Sequence, residues 1–132
     1  MTKRLLLIAA ISGVLAVALG AMAAHKLKEL ISPYQLEIFQ KGVTYQFYHT
    51  FAILASALLL DRFSTKKFYT AGILFLTGIL CFSGSLYLLA LNDFLNIPTM
   101  VLGPITPFGG LLFIAGWLVL FAGILKTKGY TN

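Results

Sequence analysis

The sequence predicts an all-α integral membrane four-helix bundle with its N and C termini on the cytoplasmic side. Three observations predict it. The 132 residues are 59% hydrophobic and only 11% charged, with a mean hydropathy of +0.91, which leaves too few charged side chains to cover a soluble globule of this size. The apolar residues fall into four runs, each about long enough to cross a bilayer. The basic residues gather on one side of the alternating connections: Lys3, Arg4, Arg62, Lys66, Lys67, Lys126 and Lys128 stand against Lys26, Lys28 and Lys41, and a basic excess marks the cytoplasmic side. No Ser/Pro-rich or charged linker divides the chain, so residues 1–132 are expected to form a single transmembrane domain.

The first span is expected over about residues 5–24. Twenty uncharged residues follow Lys3 and Arg4, and at 1.5 Å per residue they cover about 30 Å, the thickness of the hydrocarbon core. The same stretch carries a signal-peptide pattern, with "KR", an apolar run and then "AMA". It is longer than the usual h-region of roughly 7 to 15 residues, which favours a retained helix.

The second helix announces its own start. Ser32 is placed to cap it, Pro33 suits the first helical position and Gln35 stands three residues after the cap. An interfacial start over about 33–41, carrying Glu37 and Lys41, should lead into a span over 42–60. After the polar link "DRFSTKK", a third span is expected over 68–91. The connection from Asn92 to Thr106 contains Pro98, Gly103 and Pro104 but no Lys or Arg, and reads as an ordered apolar loop packed over the outer mouth. Thr106 should then cap a fourth span over 107–125 that begins at Pro107.

Water cannot drive helices together inside lipid, so small residues and interhelical hydrogen bonds should mark the contacts. Ser12, Ala16, Gly20 and Ala24 form one such row. Thr77, Cys81 and Ser85 form another, and Gly109, Gly116 and Gly123 a third at heptad spacing. Trp117 should pack toward another helix. Cys81 is the only cysteine, so no intrachain disulfide is available, and no Cys/His spacing indicates a metal.

The second span is unusual in its first half, "GVTYQFYHT", where Tyr45, Gln46, Tyr48 and His49 lie within five positions. His49 falls about 10 Å below Gly42 along the helix. Tyr45 and Gln46, four and three residues before His49, should share its face. The third span runs the other way and brings Ser83, Ser85 and Tyr87 to similar depth, with His25 just above. These eight residues are the ligand-binding candidates; no catalytic or metal-ligating residue is expected. An ionisable residue inside the membrane is a functional candidate by default, but a neutral histidine that cements the bundle is the simpler reading.

Four stretches, "GAMAAHKL" (20–27), "FQKGVTYQFYHTFAIL" (39–54), "FSGSLYLLAL" (82–91) and "GPITPFGGLLFIAGW" (103–117), resemble the small bacterial membrane proteins of domain-of-unknown-function family 423, which are similar to eukaryotic transmembrane protein 256. Met22 and Ala23 depart from that pattern, where Phe and Gly are expected. The resemblance implies a four-helix integral membrane protein, and a short chain without an Arg/Ser-rich presequence is expected in a bacterial plasma membrane. It implies no activity.

The residues themselves contain no nucleophile–base pair, phosphate loop or metal spacing. The expectation is therefore a non-enzymatic structural or protein-interaction role, without cofactor. Its partners would be the lipid bilayer and, through the small-residue faces, further copies or other membrane proteins. Nucleic acid is not expected, because the basic residues sit in short groups between apolar runs. The alternative is an outward-facing binding or transport module that takes a small polar molecule, a lipid or a quinone near Tyr45 and His49. An enzyme or haem protein would have to rest on His25 and His49 alone.

Overall fold

The computed structural model describes residues 1–127; Lys128 and the chain end at Asn132 lie outside the described residues. Four helices are long and apolar enough to cross a membrane. We label the helices α1 (Thr2–Leu30), α2 (Pro33–Phe63), α3 (Lys66–Ala90), α4 (Asn92–Leu95) and α5 (Thr99–Ile124). Helix α1 continues through a π turn at Ala23–Leu27, and α3 through another at Ile79–Ser83. Short turns join antiparallel neighbours, so the starts of α1 and α3 and the ends of α2 and α5 share one end of the bundle. That end carries Lys3, Arg4, Arg62, Lys66, Lys67 and Lys126.

The start of α2 is the capping box anticipated from its sequence. Ser32 Oγ accepts from the Gln35 amide at 3.2 Å, and Gln35 Oε1 accepts from the Ser32 amide at 2.9 Å, with Pro33 at the first position. The free amides of the first turn are thus partly satisfied. Ser64 ends the helix in the left-handed conformation at φ 51°, and its amide returns to the Leu60 carbonyl.

The fourth spanning helix departs from expectation. It begins at Thr99 instead of Pro107, and Thr106 lies inside it instead of capping it. The segment expected to be a packed lid is a single turn, α4, with Phe94 and Leu95 exposed, followed by the first turns of α5. Pro104 and Pro107 are the reason for the difference. Each removes one backbone donor, leaving the carbonyls of Met100 and Gly103 without their helical partners. Met100, Gly103 and both prolines are exposed at the end of the bundle, where water or headgroups can bond the freed carbonyls.

Packing follows chain order. α1 lies on α2, α2 on α3 and α3 on α5, and α1 touches α3 near the basic end, where Leu5 sits against Gly72. α1 buries Leu5, Ala9, Ser12 and Ala16, then Ala23 and Leu27 beyond. The small-residue row therefore holds at Ser12 and Ala16, whereas Ala24 is exposed because the contact stripe drifts to Ala23 at the π turn.

The α3–α5 seam is a ladder of phenylalanines on glycines. Phe68, Phe75 and Phe82 recur every seven residues on α3 and meet Gly123, Gly116 and Gly109 on the antiparallel α5. A Cβ built on Gly116 would lie 2.6 Å from the Phe75 ring, one on Gly123 would lie 2.7 Å from the Phe68 ring, and one on Gly109 would strike the backbone of Phe82. Close backbone approach is what holds helices together where apolar burial gives no preference over lipid. The remaining face of α5, including Phe108, Leu111, Ile114, Leu118 and Phe121, is exposed. In a bilayer that face meets lipid.

Candidate functional site

The polar residues of the second span separate into two groups on adjacent sides of α2, so Gln46 does not share the face of His49 as expected. Gln46 and Thr50, one turn apart, face α1 and α3. Tyr45 and His49, also one turn apart, face α3 and α5. About 100° separates Gln46 from Tyr45 around the helix, and because α2 has neighbours on both sides that angle is enough to give them different partners.

The first group is a hydrogen-bonded chain across three helices. Gln46 Nε2 donates to the Ser12 carbonyl at 3.0 Å, and Tyr87 Oη donates to Gln46 Oε1 at 2.7 Å. Thr50 Oγ1 donates to the Gln46 carbonyl at 2.7 Å. Its single proton being committed there, the 2.6 Å contact with Ser12 has Ser12 Oγ as donor. Ser12, Gln46 and Thr50 are all buried. The chain joins α1, α2 and α3 at one level, and the Tyr87 ring, tilted on Phe39 at 4.7 Å, also covers Gly42.

A second bond of the same kind joins α3 to α5. Ser85 Oγ donates to the Phe82 carbonyl at 2.9 Å, so Thr106 Oγ1 is the donor in their 2.7 Å contact. Ser83, by contrast, is fully buried and its hydroxyl has no partner among the described residues. It lies in the π turn of α3, where the backbone changes register.

His49 belongs to an aromatic cluster. Its Nδ1 lies 2.8 Å from the Tyr45 carbonyl, which can only accept, so Nδ1 carries a proton. The Phe113 ring lies flat on the imidazole, with centroids 3.4 Å apart and planes at 7°. Phe75 and Trp117 close in at 5.6 and 6.3 Å, and Tyr45 at 6.1 Å. Phe113 thus occupies one face of the imidazole.

The other candidates stand apart. Tyr48 is 62% exposed on the lipid side and meets the Tyr45 ring at 6.2 Å. His25 is exposed on the π turn of α1 and no hydrogen bond joins it to the cluster. Trp117 packs one edge on Phe75 at 5.1 Å but is 50% exposed, so it is a rim residue and not the core residue expected. Thr50 escaped the sequence reading because a lone threonine in an apolar run has no distinguishing context, and Thr106, read there as a helix cap, instead bonds Ser85 across the α3–α5 interface. Among the described residues no three His, Cys, Asp or Glu side chains come together as metal ligands.

At the end opposite the basic one, Gln35 Nε2 donates to Asp93 Oδ2 at 2.8 Å, and Asn92 Oδ1 accepts from the Ile97 amide at 2.9 Å. The first bond fastens α4 to the start of α2, and the second closes the turn that follows α4. Charges are balanced there: Lys26, Lys28 and Lys41 accompany Glu29, Glu37 and Asp93. Glu37 pairs with Lys41 at 3.7 Å.

Comparison with known proteins gives one family. Residues 19–110 match the family described as "Protein of unknown function (DUF423)". The chain is 40% identical over 127 residues to a Staphylococcus epidermidis "UPF0382 membrane protein", covering 96% of this chain and 99% of the relative. It is 41% identical over 129 residues to the Escherichia coli K12 "UPF0382 inner membrane protein YgdD", covering 97% and 95%. A Staphylococcus saprophyticus relative, also a "UPF0382 membrane protein", is 39% identical over 124 residues, covering 94% and 98%. No solved structure matches the chain. The chain belongs to the DUF423 family and is a multi-pass membrane protein.

Proposed function

We propose that this DUF423 family member is a non-catalytic protein of the plasma membrane with a structural or protein-interaction role, and that both of its ends face the cytoplasm. The observation that carries the reading is the use of its intramembrane polar groups. Gln46, Thr50, Ser12, Tyr87, Ser85 and Thr106 bond to one another across helix interfaces, which is how polar residues act as mortar between helices in lipid. His49, the remaining ionisable candidate within a span, is stacked under Phe113. The lipid-facing sides of α1 and α5 are the surfaces that other membrane proteins would meet. The name of the Escherichia coli relative, an inner membrane protein, supports the location. The balance of charge between the two ends supports the orientation.

Complementation tests the role. In cells lacking the protein, His49→Gln and His49→Phe variants that accumulate to wild-type levels should restore whatever growth or stress phenotype the deletion produces. A His49→Gln protein that folds and localises normally yet fails to complement would refute a purely structural histidine and promote a binding site at Tyr45 and His49.

A further inference from the structure

We propose that the α2–α3 turn and the neighbouring end of α5 form a binding site for the headgroup phosphate of an anionic phospholipid, with Lys67 as its fixed anchor and Arg62, Lys66 and Lys126 around it. Charge identifies the partner. Among the described residues this end of the bundle carries Lys3, Arg4, Arg62, Lys66, Lys67 and Lys126 against one carboxylate, Asp61, and none of these groups takes part in an ion pair. At the opposite end Lys26, Lys28 and Lys41 stand against Glu29, Glu37 and Asp93. The basic end is thus left to be neutralised by its surroundings, and at the ends of spanning helices those surroundings are lipid headgroups.

Local backbone chemistry fixes one of these cations in place. At the end of α5 the Lys126 amide bonds the Gly123 carbonyl at 3.1 Å, one residue short of its α-helical partner, so the Ala122 carbonyl loses its helical donor. Lys67 Nζ takes that place, donating to the Ala122 carbonyl at 3.3 Å, where a cation also meets the negative end of the helix dipole. An ammonium has three protons and this bond uses one, which leaves two for a ligand. Because the Ala122 bond has already ordered the Lys67 side chain, an anion binds it without the cost of immobilising it.

The other cations lie around the same place. Phe68, next to Lys67, packs its ring on Gly123 and lies 6.3 Å from the Phe63 ring, over which the Arg62 guanidinium sits at 5.4 Å. Lys126 follows within one turn of Ala122. Arg62, Lys66 and Lys126 are exposed and can follow an anion. On the bilayer side of Lys126, Phe121, Ile124 and Leu125 are exposed, so a phospholipid meets both the cations and the apolar surface beside them, where free phosphate would meet the cations alone. The site holds for whichever leaflet surrounds this end, and it does not rest on the structural role proposed above.

Competition between two lipids supplies the test. The full chain is reconstituted in vesicles of equal parts dioleoyl-phosphatidylglycerol and dioleoyl-phosphatidylcholine, extracted in mild detergent and examined by native mass spectrometry. The wild type should retain phosphatidylglycerol over phosphatidylcholine by at least about tenfold. At about fivefold per cation, Arg62→Gln/Lys66→Gln should remove most of that preference and Lys67→Gln alone should lower it at least about fivefold. Lys26→Gln/Lys28→Gln, at the opposite end, should leave it unchanged. On the wild type, where no variant's folding intervenes, the preference should fall toward parity when sodium chloride is raised from about 0.1 M to about 1 M, because the screening length shortens from about 10 Å to about 3 Å. Equal retention of the two lipids by the wild type overturns the proposal. So does an unchanged preference in Lys67→Gln or in Arg62→Gln/Lys66→Gln, or its loss in Lys26→Gln/Lys28→Gln. Displacement of the lipid by inorganic phosphate, but not by sodium chloride of equal ionic strength, would make the ligand a soluble anion and overturn it as well.

Discussion

Adding a single methyl group at each of five glycines should produce an ordered series of stabilities. At Gly116 the new Cβ would lie 2.6 Å from the Phe75 ring, about 1 Å inside van der Waals contact. Phe75 is fully buried and pressed between His49 and Trp117, so its ring has little room to retreat. Overpacking of this kind costs about 1–3 kcal/mol, against which alanine gains about 1 kcal/mol of helix propensity. Gly116→Ala should therefore be destabilising by up to about 2 kcal/mol, and Gly123→Ala by a similar amount. Gly109→Ala should be worst, because its methyl would strike the Phe82 backbone and only a shift of the whole helix relieves it. At Gly84 and Gly103 nothing lies within 4 Å, and alanine should stabilise by up to about 1 kcal/mol. Thermal unfolding in detergent, followed by labelling of Cys81 as it becomes accessible, would rank the five. Unfolding free energies of Gly109→Ala and Gly103→Ala that agree within about 0.5 kcal/mol would refute the phenylalanine–glycine ladder as the α3–α5 seam.

Two further outcomes follow from particular residues. Ser83→Ala removes a buried hydroxyl that has no partner among the described residues, so unfolding should occur at the same temperature or a higher one; a loss of more than about 1 kcal/mol would mean that the hydroxyl is bonded. Alkaline phosphatase fused to the C terminus should be inactive and the same enzyme fused after Leu30 active, as the proposed orientation requires; the reverse pattern would invert it.

Much of this architecture was legible because the bilayer imposes a length. Runs of about twenty uncharged residues cannot be anything but spans or buried helices, and the start of α2 was legible because Ser32, Pro33 and Gln35 satisfy first-turn amides through local bonds. The start of α5 was hidden by Pro104 and Pro107, which read as loop residues in a soluble chain. At an exposed helix end in a membrane protein the carbonyls they free have water within reach, and the helix continues through them. The polar cluster was half legible. Spacing placed Tyr45, Gln46 and His49 on neighbouring positions, but only the central place of α2 in the packing decides that Gln46 looks toward α1 and His49 toward α5. The stacking of Phe113 on His49 lies beyond spacing arguments altogether, since it depends on the depth at which α5 docks against α3 through Gly78.

The claim that the intramembrane polar residues join helices is tested most directly by the coupling between Gln46 and Tyr87. A double-mutant cycle with Gln46→Met, Tyr87→Phe and the pair, read by reversible unfolding in detergent or bicelles, isolates their 2.7 Å bond. Interhelical hydrogen bonds in membranes average about 0.6 kcal/mol and reach about 1.7, and this bond is partly buried and short. The expected coupling is therefore about 0.6–1.7 kcal/mol, with each single variant less stable than the wild type. Additive single effects, or single variants as stable as the wild type, would contradict it and leave these residues to a ligand.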